Sequence, residues 1–156
     1  MANHGWVKTR KTLTPEQITT LLQELNATLF KGHLQQDYQR ATREQPGWGA
    51  HTWFLSYQLH AQEWARRVCW LETSRHFEMR HGGGSDFTWW LDAVILNAVA
   101  VRFNGKIGGD GHNDWKVGVP GKYDSFAAYL VPQLARSTDP VYQAAVLEQV
   151  PPEFRP

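Results

Sequence analysis

The chain reads as an α+β domain, an antiparallel sheet with helices packed on one face. Three observations carry that reading. The order of elements runs strand, helix, strands, helix. Residues His76–His81 alternate polar and apolar, the period of a strand. The segment 87–103 is apolar nearly all round, as a helix sealed in a core must be. The economical version is a decorated ferredoxin-like core, βαββαβ, with extra C-terminal helices.

Gly5-Trp-Val-Lys-Thr-Arg-Lys11 alternates as a first strand, with Trp6, Lys8 and Arg10 on one face and Val7 and Thr9 on the other. Thr14-Pro15-Glu16-Gln17 is a capping box with proline at the first helical position. Ile18, Leu21, Leu22, Leu25 and Leu29 then form an amphipathic stripe, so the spacing predicts a helix over 15–30, stopped by Lys31-Gly32. Leu34, Tyr38 and Ala41 fit a short polar helix, and Gln45-Pro-Gly-Trp-Gly-Ala50 is turn chemistry. Thr52–Gln58 has the composition of a strand.

Residues 62–71 fit a helix through Trp64, Ala65, Val68 and Cys69; Val68-Cys-Trp-Leu71 before a turn fits a strand, taken from Arg67. A two-residue turn at Thr73-Ser74 sets Trp70 against Phe77 and Val68 against Met79. A three-residue turn sends Trp70 to the polar face instead, because a slip of one residue inverts every side chain. In either register His76, Glu78 and Arg80 share a side. Asp86 is placed as an N-cap for the helix 86–103, and Asn104-Gly105 as its stop. Asp92 and Asn97 interrupt its apolar surface, and it is too short and too polar to span a membrane.

Residues 104–114 hold four glycines in eleven positions and read as a loop or a frayed edge strand. The fourth strand of the core comes from Gly105–Gly108 or from Trp115–Val117. Phe126–Val131 and Asp139–Glu148 read as short helices, and Pro151–Pro156 as an extended tail beyond a single domain over 1–150.

Composition narrows the function classes. The 156 residues carry a net charge of +1, which gives no bulk electrostatic case for nucleic acid or an anionic membrane. Cys69, the only cysteine, excludes an internal disulfide, leans towards a reducing compartment and sits in an apolar run where it packs rather than reacts. Met1-Ala-Asn-His-Gly-Trp6 opens without an apolar run, so the expected localisation is cytoplasmic. Eight Trp exceed seven Phe and five Tyr, reversing the usual order. Tryptophan fills cores and also anchors recognition surfaces.

Two constellations bear chemistry. In His76-x-Glu78-x-x-His81, alternation sends His81 to the opposite face, so the strand alone cannot gather a metal set. His76 and Glu78, with His112 folding over from the glycine-rich loop, would supply a general acid and base. No nucleophile motif accompanies them. Gly82-Gly83-Gly84-Ser85-Asp86 opens a helix, and the backbone N–H groups of Gly83, Gly84 and Ser85 are candidates to hold an anion. The stretch lacks phosphate-loop spacing, and Asp86 would itself satisfy those donors while repelling an anion.

The reading that results is a small binding protein, leaning away from an enzyme and without a cofactor or metal. It recognises a protein or small-molecule ligand through an aromatic, Arg and His surface: Trp6, Lys8, Arg10, His76, Glu78, Arg80 and Trp115. A hydrolase or phosphoryl-handling enzyme built on His76, Glu78 and the 108–114 loop is the alternative. A binder of single-stranded nucleic acid is the second alternative, and the tryptophan-rich segments equally suit a homodimer seam.

Overall fold

The computed structural model describes residues 3–28, 30, 32–44, 48–60, 63–81, 86–109, 140, 143, 144 and 147, with backbone only at 3, 58–60, 63–65, 81, 86–90 and 93. The elements in chain order are β1 (Asn3–Lys8), α1 (Pro15–Thr28), β2 (Leu34–Arg40), β3 (His51–His60), β4 (Glu63–Thr73), β5 (His76–His81), α2 (Asp86–Arg102) and β6 (Lys106–Gly109). The six strands form one sheet in the order β2-β3-β4-β5-β1-β6, each pair antiparallel. The α+β class and the antiparallel sheet agree with the sequence. Between the helices lie four strands, not the two of a plain βαββαβ chain.

Local signals set the helix ends. The backbone N–H of Thr14 donates to the Gln17 side chain at 2.9 Å, and the Gln17 N–H donates back to the Thr14 hydroxyl at 3.3 Å, the reciprocal capping box. Beyond α1 the chain turns through Gly32, at φ +83°, a left-handed position that glycine adopts without strain. After α2, Asn104 takes φ 51° and the Gly105 N–H donates to the Ala100 carbonyl at 2.8 Å, closing the last turn.

The sheet has two unlike faces. On one, Val7, Trp53, Leu55, Tyr57, Cys69, Leu71, Phe77 and Met79 are buried and join Ile18, Leu21, Leu22 and Leu25 of α1 and Leu91, Val94, Ile95 and Leu96 of α2 in one core. Each such large apolar side chain contributes about 1.5–3 kcal/mol on burial. Trp53 finds a partner for its indole N–H in the Thr19 hydroxyl at 3.0 Å, which ties β3 to α1. Both helices therefore lie over the same side.

Four expectations require correction. Residues 34–40 are an edge strand, not a polar helix; pairing of Leu34–Arg40 with Tyr57–His51 of β3 outweighs their helical spacing. The strand through Arg67 begins at Glu63, because β3 extends to His60 and pairs with it. β1 starts at Asn3 and ends at Lys8, so Arg10 lies outside the ladder, in a bend held by the Thr9 N–H on the Arg75 carbonyl at 3.0 Å and the Thr9 hydroxyl on the Lys11 carbonyl at 2.7 Å. The β4–β5 hairpin turns at Ser74-Arg75 with an irregularity between Leu71 and Thr73, which pairs Trp70 with Glu78 and Leu71 with Phe77. Trp70 thus stands on the polar side, the second of the two registers. Expected helix 126–131 and the tail 151–156 lie outside the described residues. Within 139–148, Pro140, Gln143, Ala144 and Leu147 are helical, and Leu147 packs against the core.

Among the described residues, one charged pair lies in the core. Arg67 of β4 faces inward and grips Asp92 of α2, its Nε–H donating to Oδ1 at 2.7 Å and a terminal N–H to Oδ2. Asp92 is wholly buried, and burial pushes its carboxyl up to about 7, against the opposing pull of the Arg67 hydrogen bonds and charge. An unfolded aspartate titrates near ~3.9. Between those limits the folded protein holds more protons than the unfolded chain, so the contribution of Asp92 to stability falls as pH rises from about 4 to about 7 and stays low above that. Denaturation measured against the non-titrating Asp92→Asn variant is expected to show the wild type gaining stability relative to it as pH is lowered through that window. Arg67→Met alone is expected to cost about 3–5 kcal/mol at pH 8, because it strands a buried charge. Replacing both partners, as Arg67→Met with Asp92→Leu, is expected to recover most of that loss.

Candidate recognition face

The side of the sheet opposite α1 and α2 carries the alternate residues of each strand. Across its centre runs the row Thr52, Trp70, Glu78, Trp6, Gly108, one residue from each of β3, β4, β5, β1 and β6. A second row sets Asp37, Phe54, Val68, Arg80 and His4 side by side, and a third sets His76, Lys8 and Lys106. The alternation that buries Val7, Phe77 and Met79 therefore delivers Trp6, Lys8, His76, Glu78 and Arg80 to one surface, as expected from their spacing.

Glu78 is the hub. The Nδ1 of His4 lies 2.6 Å from Glu78 Oε1, and the Nε2 of His76 lies 3.4 Å from Oε2. His4 and Glu78 are 36% and 14% exposed in their side chains, so the first bond is only partly shielded from water. His76 Nε2 is buried and has no hydrogen-bond partner among the described residues; 3.4 Å to Oε2 without hydrogen-bond geometry is an electrostatic contact only. A carboxylate between two imidazoles can exchange protons with a bound group. Among the described residues no three His, Cys, Asp or Glu side chains converge in a way that could hold a metal ion.

Aromatic rings flank the hub on both sides. His4 meets Trp70 edge-on, centroids 5.5 Å apart at 85°. Trp70 is 3% exposed because Trp48 lies on it, centroids 5.4 Å apart at 28°, and its indole N–H donates to Glu72 Oε2 at 2.8 Å. The close approach depends on Gly49: a Cβ there would meet the Leu71 carbonyl oxygen at 2.7 Å and Trp70 Cδ1 at 2.8 Å. On the other side Trp6 tilts against His76, centroids 6.3 Å apart, and lies over Gly108, where a Cβ would meet its Nε1 at 2.5 Å. A glycine opposite an aromatic ring is a recurrent cross-strand fit.

Each outer ring has a cation beside it. Lys8 Nζ stands 5.6 Å from the Trp6 ring centroid and Arg80 Cζ 5.1 Å from that of Trp48. Trp48 and Phe54 remain 45% and 38% exposed, so both rings are accessible from solvent.

Of the residues named from the sequence, Trp6, Lys8, His76, Glu78 and Arg80 converge, and Arg10 does not join the ladder. His112, Trp115, Gly83, Gly84 and Ser85 lie outside the described residues. His4, Trp48 and Trp70 complete the face. His4 is reached only once β1 begins at Asn3, Trp70 only once the hairpin register is known, and Trp48 only once its ring is seen stacked on Trp70 of β4. No protein-family model, curated protein or solved structure matches the chain.

Because Gly108 seats the Trp6 ring, Gly108→Val is expected to displace that indole. The expected cost is about 1–3 kcal/mol, the range for overpacking. The Trp6 Nε1–H resonance in a proton–nitrogen correlation spectrum should shift, while those of Trp53 and Trp70 stay in place.

Proposed function

We propose that the protein is a binding protein whose recognition surface is the sheet face opposite α1 and α2. Indole rings serve as anchors, and Arg, Lys and His surround them, the residue types that dominate binding energy at interfaces. The observation that carries this reading is the unbroken run of ring and ion contacts from Lys8 through Trp6, His76, Glu78, His4 and Trp70 to Trp48 and Arg80. Its outermost members, Lys8, Trp48 and Arg80, are exposed, so packing among the described residues does not account for their placement. The strand order supports the architecture behind it: β4-β5-β1-β6 with α1 and α2 follows the order of a ferredoxin-like βαββαβ core, with the β2–β3 hairpin inserted after α1.

A second reading draws on the carboxylate of Glu78, 2.6 Å from one imidazole and 3.4 Å from another. Such a group suits general acid–base work in a hydrolase or a phosphoryl-handling enzyme. Against it, no described serine or cysteine stands beside the pair as a nucleophile; Cys69 is fully buried on the other face, and burial pushes its thiol up, away from reactivity. Hydrolysis on a nucleotide and phosphoester panel that Glu78→Gln abolishes would favour this second reading; a wild type inactive across the panel would count against it.

The test of the first reading is a photo-crosslinking residue at position 54, on the proposed surface, or at position 23, on the exposed side of α1. Irradiation in a native lysate is expected to give adducts from position 54 that are lost on Trp48→Ala or Arg80→Ala. Adducts from position 23 alone, or adducts indifferent to both substitutions, would overturn it.

A further inference from the structure

We infer that the ligand of this face is single-stranded nucleic acid, an inference that rests on the recognition surface proposed above and names its occupant. The chemistry of this surface repeats. Twice on this surface a cation stands beside an indole ring: Lys8 at Trp6 and Arg80 at Trp48. A nucleotide presents the complementary pair, a flat base and an anionic phosphate, and a single strand presents it repeatedly with its bases unstacked and free. In the unliganded protein each cation rests near its ring. When a strand arrives the base takes the ring face, and the cation turns to the phosphate.

Charge placement agrees. Lys8, Lys106, Arg66 and Arg80 are exposed residues of this face, and none has a carboxylate within ion-pair distance among the described residues. Two carboxylates lie among them and already have hydrogen-bond partners: Glu78 with His4 at 2.6 Å and Glu72 with the Trp70 indole N–H at 2.8 Å. Asp37 stands on β2 directly across from Phe54, bonded to Gln39 at 3.1 Å. A chain with a net charge of +1 thus presents, on this face, four cations with no ion-pair partner among the described residues. Net charge says little about where individual cations stand beside exposed rings.

Geometry agrees as well. Trp6 on β1 and Trp70 on β4 are separated by β5 alone, so their backbones are two strand spacings apart, roughly 10 Å. With Trp48 raised above Trp70, rings on two sides of the hub are near enough for bases of one strand to use both. An acidic peptide would satisfy the cations and leave Trp48, Trp6 and Phe54 without a partner. A duplex keeps its bases stacked inside and offers the rings nothing.

The experiment titrates the whole chain into a fluorescein-labelled twelve-nucleotide oligothymidine, with the matching duplex, heparin and polyglutamate as comparison ligands. Anisotropy and intrinsic tryptophan fluorescence are read at several NaCl concentrations. The expected result is micromolar binding to the single strand with quenched tryptophan emission. The logarithm of affinity should fall with the logarithm of salt at a slope of about −2 to −3, for three or four phosphates at ~0.7 each. Trp48→Ala should weaken binding by about tenfold or more, Phe54→Ala should weaken it as a second and independent stacking site, and Lys8→Ala should flatten the salt slope by about 0.7. Both aromatic side chains are exposed, and an unchanged melting temperature shows that the variants fold.

Absence of binding to the single strand at 50 mM salt would overturn the inference. So would equal binding of heparin or duplex without quenching, or affinity indifferent to both aromatic substitutions. If the position-54 adducts persist and the oligonucleotide does not bind, the ligand class falls and the surface stands. If both fail, the surface falls with it.

Discussion

The pairing register of β4 with β5 is the constraint on which the two faces depend. Strand side chains alternate, so one parity choice on β4 decides the fate of every residue from Arg66 to Glu72. The irregularity between Leu71 and Thr73, with the turn at Ser74-Arg75, sets Cys69 against Met79 and Leu71 against Phe77 in the core. The same choice points Arg67 inward to Asp92 and Trp70 outward to the rings around Glu78. In the other register Trp70 and Val68 would have filled the core, and the guanidinium of Arg67 would have met water. The core and the candidate recognition face are thus two consequences of a single backbone detail.

The inward guanidinium explains why α2 tolerates an aspartate at all. A lone carboxylate at a fully buried helix position would be strongly disfavoured. Paired bidentately with Arg67 it becomes a cross-link between helix and sheet, and β5, next to β4, is thereby held under α2 as well. Such pairs add less net stability than apolar substitutes of the same volume, and a specific arrangement is their better-attested role. Here the arrangement is the parity of β4. Around this pair the flanking apolar residues Leu91, Val94, Ile95 and Leu96 supply the burial that holds α2 down.

How much was legible in the chain follows from the range of the forces involved. α1 was readable because its capping box and its Ile18–Leu25 stripe are local. α2 was readable because its apolar surface leaves no other place for it, and His76–Arg80 because alternation needs no partner to be seen. β2 was not, since Gln35, Gln36 and Asp37 form a strand through their pairing with β3 rather than through a pattern of their own. Trp70 escaped because turn length and an irregularity decide its side, and neither leaves a strong mark without Asn-Gly or Asp-Gly at the turn. Trp48 escaped because a turn residue that folds back onto a strand has no periodicity. Asp92 was visible as an oddity in an apolar helix, while its partner 25 positions earlier was not.

The most direct measurement is the set of proton–proton contacts made by the Trp70 indole in a nuclear Overhauser spectrum of the native protein. The account predicts contacts to the rings of His4 and Trp48 and none to Phe77 or Met79. Contacts to Phe77 and Met79 would place Trp70 in the core, invert β4, and contradict both the inward Arg67–Asp92 pair and the face built around Glu78.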